Sequence, residues 1–132
     1  MASIPADILE KISGPGVVKI LTTVGKDGQP HAIVCGSIAA PSPDKLVVGE
    51  VLMNKSSANL LENGKAAFLF SAGMEAWEVD VKNGVRIDDG PLLASMNENL
   101  AKAHLSARAL WMFDVDAVYD QGANMNAGKQ IA

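Results

Sequence analysis

Short runs of β-branched and apolar residues, each closed by glycine, proline, asparagine or aspartate, recur along most of this 132-residue chain, and they point to antiparallel strands joined by tight turns. In Val17–Val24 the residues Val18, Ile20 and Val24 share one face, and Lys26-Asp27-Gly28-Gln29 supplies a hairpin turn. A second strand is predicted from His31 to about Ala40, ending at Pro41-Ser42-Pro43-Asp44, with a third from Lys45 to Val51. Ala66–Ser71 is apolar enough for a buried fourth strand. In the fifth, Trp77, Val79 and Val81 alternate with Glu78, Asp80 and Lys82, and the strand resumes after Asn83-Gly84. In the sixth, Trp111, Phe113, Val115 and Ala117 alternate with Met112, Asp114 and Asp116, before a polar, Gly- and Asn-rich tail from Gln121.

Three helices fit between these strands. Ser3, Pro5 and the spacing of Ile8, Leu9 and Ile12 predict a short capped helix stopped by Gly14-Pro15-Gly16. Asn54 or Ser56 can cap another that runs to Asn63, with Ala58, Leu60 and Leu61 on its apolar side. Asp88-Asp89-Gly90-Pro91 opens a longer one, marked by Leu92, Met96, Leu100, Ala103 and Ala107 at helical spacing. Six strands with short turns favour a small mainly β barrel over a parallel α/β sheet, and residues 1–132 are expected to form one domain around one core.

Composition removes several function classes. Hydrophobic residues make up 48% and charged residues 20%, which suits a folded chain. With net charge −4 and no basic stripe, the chain is not expected to bind nucleic acid. Cys35 has no cysteine to pair with, and His31 and His104 lie far apart, so no metal is expected. There is no apolar run of the roughly 20 residues a membrane helix needs, and the N-terminus lacks a basic region followed by an apolar stretch. A cytoplasmic, reducing setting follows as the expectation.

The segment that carries chemistry is Lys55-Ser56-Ser57-Ala58-Asn59, where exposed amides, a helix dipole, an ammonium, hydroxyls and an amide converge after a strand. It reads as an anion site or, equally, as a capped helix with a solvated lysine. Cys35 reads as a small hydrophobe, and neither histidine sits in a nucleophile motif. Trp77 and Trp111 read as core or dimer-interface anchors, Glu50 as a carboxylate on a barrel rim, and Asp114 and Asp116 as a wet strand face.

The run VVKILTTVGKDGQPHAIVCGS, followed by LVVGEVLMNKSSANLLENGKAAFLF, resembles the FMN-binding split-barrel family related to pyridoxamine 5'-phosphate oxidases, with the likeness extending from about Gly16 to Tyr119. It looks nearest to the short members that consist of the barrel alone and dimerise around their flavins. The resemblance implies a six-stranded antiparallel split β-barrel in which Lys55, Ser56 and Asn59 hold the FMN phosphate. The isoalloxazine would lie against strands two and three, where Val34, Cys35, Gly36 and Ser37 face Gly49, Glu50, Val51 and Leu52. Gly36 and Gly49 would leave room for the flat ring, although glycines in strands also mark bulges. Ser106-Ala107-Arg108-Ala109, at the end of the long helix, would come from the other subunit, with Ser106 where an aromatic can stand, Arg108 as the better contact and Trp111 as another possible one.

The function implied is a redox flavoprotein, a homodimer with FMN at its interface, passing electrons or hydride from a reduced donor to a small-molecule or protein acceptor. No catalytic residue is assigned. A non-catalytic FMN store or sensor, or a flavin-free structural dimer, are the alternatives. Pyridoxamine phosphate oxidation itself is not expected, because the chain ends soon after the sixth strand, where those oxidases continue into a substrate-holding segment.

Overall fold

The computed structural model describes residues 2–132, in which helix α1 (Ala6–Ile12) leads into strands β1 (Val18–Val24), β2 (Pro30–Val34), β3 (Ile38–Ser42) and β4 (Lys45–Gly49). Helix α2 (Lys55–Glu62) follows, then β5 (Ala66–Ala72), β6 (Glu75–Ile87), helix α3 (Pro91–Ala101), β7 (Leu110–Asp120) and β8 (Lys129–Gln130). Every pairing is antiparallel, in the order β2-β1-β5-β6-β7-β4-β3, with β8 added to β7. The fold is therefore mainly β with three helices, as expected, but it has eight strands among the described residues, not six.

The first extra strand arises because the expected strand from His31 to Ala40 is two strands. At Cys35-Gly36-Ser37 the chain changes partner: the Cys35 amide donates to the Lys19 carbonyl of β1 at 2.9 Å, whereas the Ser37 carbonyl accepts from the Gly49 amide of β4 at 2.8 Å. Because β2 and β3 are the two ends of the sheet path, this bend joins the sheet to itself and makes the split barrel. The second extra strand lies in the polar tail, which folds back so that Gln130 and Lys129 pair with Tyr119 and Asp120.

Helix placement also differs. At α1 the N-cap is Pro5 and no side chain caps the helix, so Ser3 does not play that part; burial of Ile8 and Ile12 anchors the helix instead. Helix α3 stops at Ala101 and does not reach Ala107. The Leu105 amide returns to the Leu100 carbonyl at 3.0 Å and the His104 amide to the Ala101 carbonyl at 3.0 Å, a Schellman closure with His104 at φ +59°. Asn97 then clips the departing chain, its side-chain oxygen accepting from the Ala107 amide at 2.7 Å and its Nδ2 donating to the Ala107 carbonyl at 3.2 Å.

The barrel interior is filled by Leu21, Phe68, Phe70, Val79, Phe113 and Val115, with Phe68 and Phe113 packed edge to face at 5.8 Å. Trp77 and Trp111 belong to this core. A smaller cluster of Val47, Leu93, Ala107 and Leu110 seats α3 on the outside. None of the helices is long and apolar enough to cross a membrane among the described residues.

Asn83-Gly84 is a bulge inside the continuous strand β6, where one residue more than on β7 is accommodated between Lys82 and Val85 and Asn83 takes φ +55°. A Cβ on Gly84 would stand 2.7 Å from a ring carbon of Phe113, which is fully buried and has nowhere to turn. Gly84→Ala should therefore cost about 1–3 kcal/mol, the usual range for overpacking a core. Urea denaturation reads this directly, and an unchanged midpoint would mean that the bulge can shift.

On the outer face of β6, Asp80 has one carboxyl oxygen buried without a partner. Burial, then the neighbouring Glu78 carboxyl and the charge of Asp116, raise its pKa from 3.8 to about 7. A raised acid favours the protonated folded state, so this contribution is complete below pH 3.8 and is lost as pH rises through about 7. Asp80→Asn should thus stabilise the protein at pH 8 by about 1–2 kcal/mol, a figure reduced for solvent screening, and do little at pH 4. Equal gains at both pH values in thermal melts would contradict the assignment.

Candidate functional site

The N-terminus of α2 follows β4 directly and points its first amides out of the helix with no side-chain cap from Asn54. Lys55 is exposed and has no carboxylate partner among the described residues. Ser56 and Asn59, expected beside it, face inward. Ser56 is fully buried with an unpartnered Oγ. Asn59 is buried as well, and its Nδ2 donates to Thr23 Oγ1 at 3.0 Å, which fastens α2 to β1. Lys55 is the one residue of this trio that the structure leaves open to solvent.

The missing cations come from elsewhere. Glu50, the residue after β4, is only 4% exposed, and it is gripped by both arginines of the sequence. Arg86 Nε on β6 donates to Oε2 at 2.8 Å, and Arg108 Nη2 donates to Oε1 at 3.1 Å. Burial alone would raise the pKa of Glu50, but hydrogen bonds from Arg86 and Ser57 and the charges of Arg86 and Arg108 outweigh it and hold the carboxyl below its usual value. Arg108 Nη2 also donates to the Met53 carbonyl at 3.1 Å, just ahead of α2. Arg86 and Arg108 thus share the Glu50 carboxylate, with the charge of Asp88 also acting on Arg86, while Lys55 stands exposed at the start of α2.

Arg108, the residue expected to contact flavin across a subunit interface, is held by Glu50 and the Met53 carbonyl of its own chain. The backbone explains this: the Arg108 amide donates to the Glu50 carbonyl at 3.1 Å and the Glu50 amide to the Ala109 carbonyl at 2.8 Å, extending the β4·β7 ladder past its strand ends. The segment from Ser106 is therefore an extended lead-in to β7 and not a helix end, and Ser106 itself is exposed.

Beside this cluster a cleft of about 330 Å³ opens at the barrel bend. Val34, Cys35, Gly36 and Ser37 form one wall, Gly49, Val51 and Leu52 the other, and Met53, Leu100 and Leu105 close in around them. The expected ring-contact residues are thus brought together, except that Glu50 belongs to the ion cluster behind the wall and Trp111 to the core. The two glycines differ. Nothing lies within 4 Å of a Cβ placed on Gly36, so that space is open. A Cβ on Gly49 would meet Met96 Sδ at 2.6 Å and Ser37 Oγ at 3.1 Å, so Gly49 is a glycine because α3 packs against it, not because a ring must. Ser37 Oγ donates to the Gly49 carbonyl at 3.2 Å, with Cys35 Sγ 3.6 Å away. Among the residues lining the cleft the Cys35 thiol is the sole titratable group.

Arg86 carried no signal toward this site, and the helical spacing of Met96 marked only an apolar helix face. What was visible in the sequence was that Glu50 sits between apolar residues and that there are only two arginines to neutralise it.

The bend between β2 and β3, the closed antiparallel sheet path and the open cleft beside it define a split-barrel class. Residues 5–126 match the family described as pyridoxamine 5'-phosphate oxidase, and the chain belongs to this FMN-binding split-barrel family. Among solved structures it is similar to HupZ from Group A Streptococcus, with 16% identity over 95% of this chain and 99% of that one and a TM-score of 0.78. An FMN-binding protein from Syntrophomonas wolfei subsp. wolfei gives 18% identity, 86% of each chain and a TM-score of 0.75. A structure named F420 reductase gives 16% identity, 83% of this chain and 94% of that one, and a TM-score of 0.65. At these identities the likeness is one of fold. No curated protein sequence matches the chain.

Proposed function

We propose that the protein binds FMN, with the ring system in the cleft at Gly36 and the phosphate beside Lys55 and Arg108, and that it serves as a redox flavoprotein. The observation that carries this is continuity: the open, mostly apolar cleft runs through Val51, Leu52 and Met53 to the Met53 carbonyl that Arg108 holds and the α2 start where Lys55 stands exposed, which suits a flat uncharged ring ending in a phosphate dianion. The unpartnered Oγ of buried Ser56 is a further group at the same helix start. When bound, the flavin supplies one- or two-electron and hydride transfer. The chain's part is to hold it: Val34–Ser37 and Gly49–Leu52 offer backbone groups and apolar contact, while Arg86 and Glu50 keep Arg108 in place. A cleft wall with no acid or base except a thiol favours transfer without a proton relay from the protein. The FMN store or sensor needs the same site and differs only in turnover.

Val34 and Leu52, 77% and 84% exposed, flank the cleft mouth, and covering them with a second copy of the chain would close the site as a homodimer. The binding experiment compares FMN with riboflavin by fluorescence quenching. FMN should bind at least about tenfold more tightly, one phosphate dianion against these cations being worth more than about 1.4 kcal/mol. Equal affinity would remove the phosphate from the site.

A further inference from the structure

A second cavity, of about 340 Å³, lies between β3 and α3, and the flavin reading leaves it unused. Ala39, Ala40 and Val47 form its floor, and Leu92, Met96 and Leu100 its roof. Its polar groups are Ser37, Ser95 and Asn99, and no charged side chain lines it. Arg86 and Arg108 do not line it, both standing at Glu50. Gly36, Ser37 and Leu100 line this cavity and the flavin cleft alike, so whatever occupies it abuts the ring position.

We propose that this cavity takes an uncharged, largely apolar small molecule with one or two hydrogen-bonding groups, and that such molecules, not phosphate esters, are the substrate class of the adjoining site; the second clause rests on the flavin reading. A phosphate among these side chains would have its charge unpaired, a penalty that a neutral compound escapes. The walls give an apolar body its favourable transfer, while Ser95 and Asn99 fix its orientation. The size is that of an ordinary small-ligand pocket. Met96 reaches the cavity because Gly49 has no side chain to keep it out.

The test uses N-phenyl-1-naphthylamine, a neutral fluorescent probe, and its anionic relative 8-anilino-1-naphthalenesulfonate, on FMN-loaded and FMN-free protein. The neutral probe should bind at least about tenfold more tightly, the scale of leaving one charge unpaired in an apolar site. Ala39→Phe adds a ring at an exposed position on the cavity floor. It should weaken the neutral probe by about tenfold and leave FMN affinity unchanged. Ser95→Arg, on the exposed side of α3, should shift preference toward the anionic probe by about tenfold. Equal affinity for the two probes, or full binding to Ala39→Phe, would overturn the proposal. So would a wild-type protein that ignores the neutral probe while Ala39→Phe weakens self-association, because the groove would then belong to a second copy. Probe binding that survives in protein unable to take FMN would remove the flavin reading but keep the cavity.

Discussion

Replacing Lys55 and Arg108 together by alanine is expected to weaken FMN binding by about a hundredfold or more while changing riboflavin binding within about threefold. In the proposed binding mode each is a charge-assisted partner for the phosphate, worth about 1.5–3 kcal/mol. Lys55 stands exposed on the helix, whereas Arg108 approaches through the Met53 carbonyl. The riboflavin arm separates phosphate recognition from damage to the cleft, since the proposed ring contacts lie on other residues. A double variant that still prefers FMN over riboflavin by the wild-type ratio would put the phosphate elsewhere. Asn59→Ala makes the complementary control: with its amide committed to Thr23, it should lower stability more than it changes the FMN-to-riboflavin ratio.

The second large effect is expected at Glu50. Glu50→Ala removes the carboxylate that both arginines hold and leaves a gap between β4 and the lead-in to β7. Buried pairs broken on one side cost about 3–5 kcal/mol, but the arginines are 36% and 58% exposed and can turn to water, so about 2–3 kcal/mol is the better figure. For a chain of this size that lowers Tm by about 10 °C. The pH dependence has a definite sign. The folded pKa of Glu50 lies below its ordinary 4.5, so its contribution is present above that value and disappears as pH falls through the lower folded value. Wild type and Glu50→Ala should therefore converge in stability on acidification, as thermal melts from pH 7 downward would show. A gap that stays constant with pH would mean that the loss is one of packing alone.

Which parts of this were visible in the sequence follows from the range of the forces involved. Strand runs such as Trp77–Val81 and Trp111–Ala117 announce themselves because alternation is local. The bend at Cys35-Gly36-Ser37 does not, because what divides that strand is a change of hydrogen-bonding partner from Lys19 to Gly49, and partners far along the chain leave no mark on local periodicity. The end of α3 was hidden for a related reason. Ala103 and Ala107 keep the helical spacing, yet His104 turns left-handed and Asn97 captures the chain beyond it. Strand β8 lies in a segment whose composition reads as tail, and only its pairing with Tyr119 and Asp120 makes it a strand.

The site divides in the same way. That Lys55 opens a helix after a strand was legible because the signals for a helix start are contiguous in sequence. That Ser56 and Asn59 turn inward depends on which face of α2 meets β1, and the segment's own pattern did not disclose it. The roles of Gly36 and Gly49 could not be told apart until Met96 was seen to occupy the space beside one and nothing that beside the other. The joining of Arg86, Glu50 and Arg108 spans three separate elements.

The position of β7 between β6 and β4 has a consequence for how the chain reaches this fold. β1 with β2, β3 with β4, and β5 with β6 are neighbours in sequence, and each pair can zip up as a hairpin within microseconds. None of those hairpins joins β4 to the rest of the sheet. That seam forms only when Leu110–Asp114 arrives to pair with Lys45–Gly49, closing a long loop at an entropic cost that local contacts do not offset. This seam therefore carries the largest loop-closure cost of any strand pairing in the sheet, and without it the β3–β4 hairpin would present an unpaired edge. Glu50 and Arg108 lie at the end of that same seam, so the ion cluster depends on the pairing that closes the barrel.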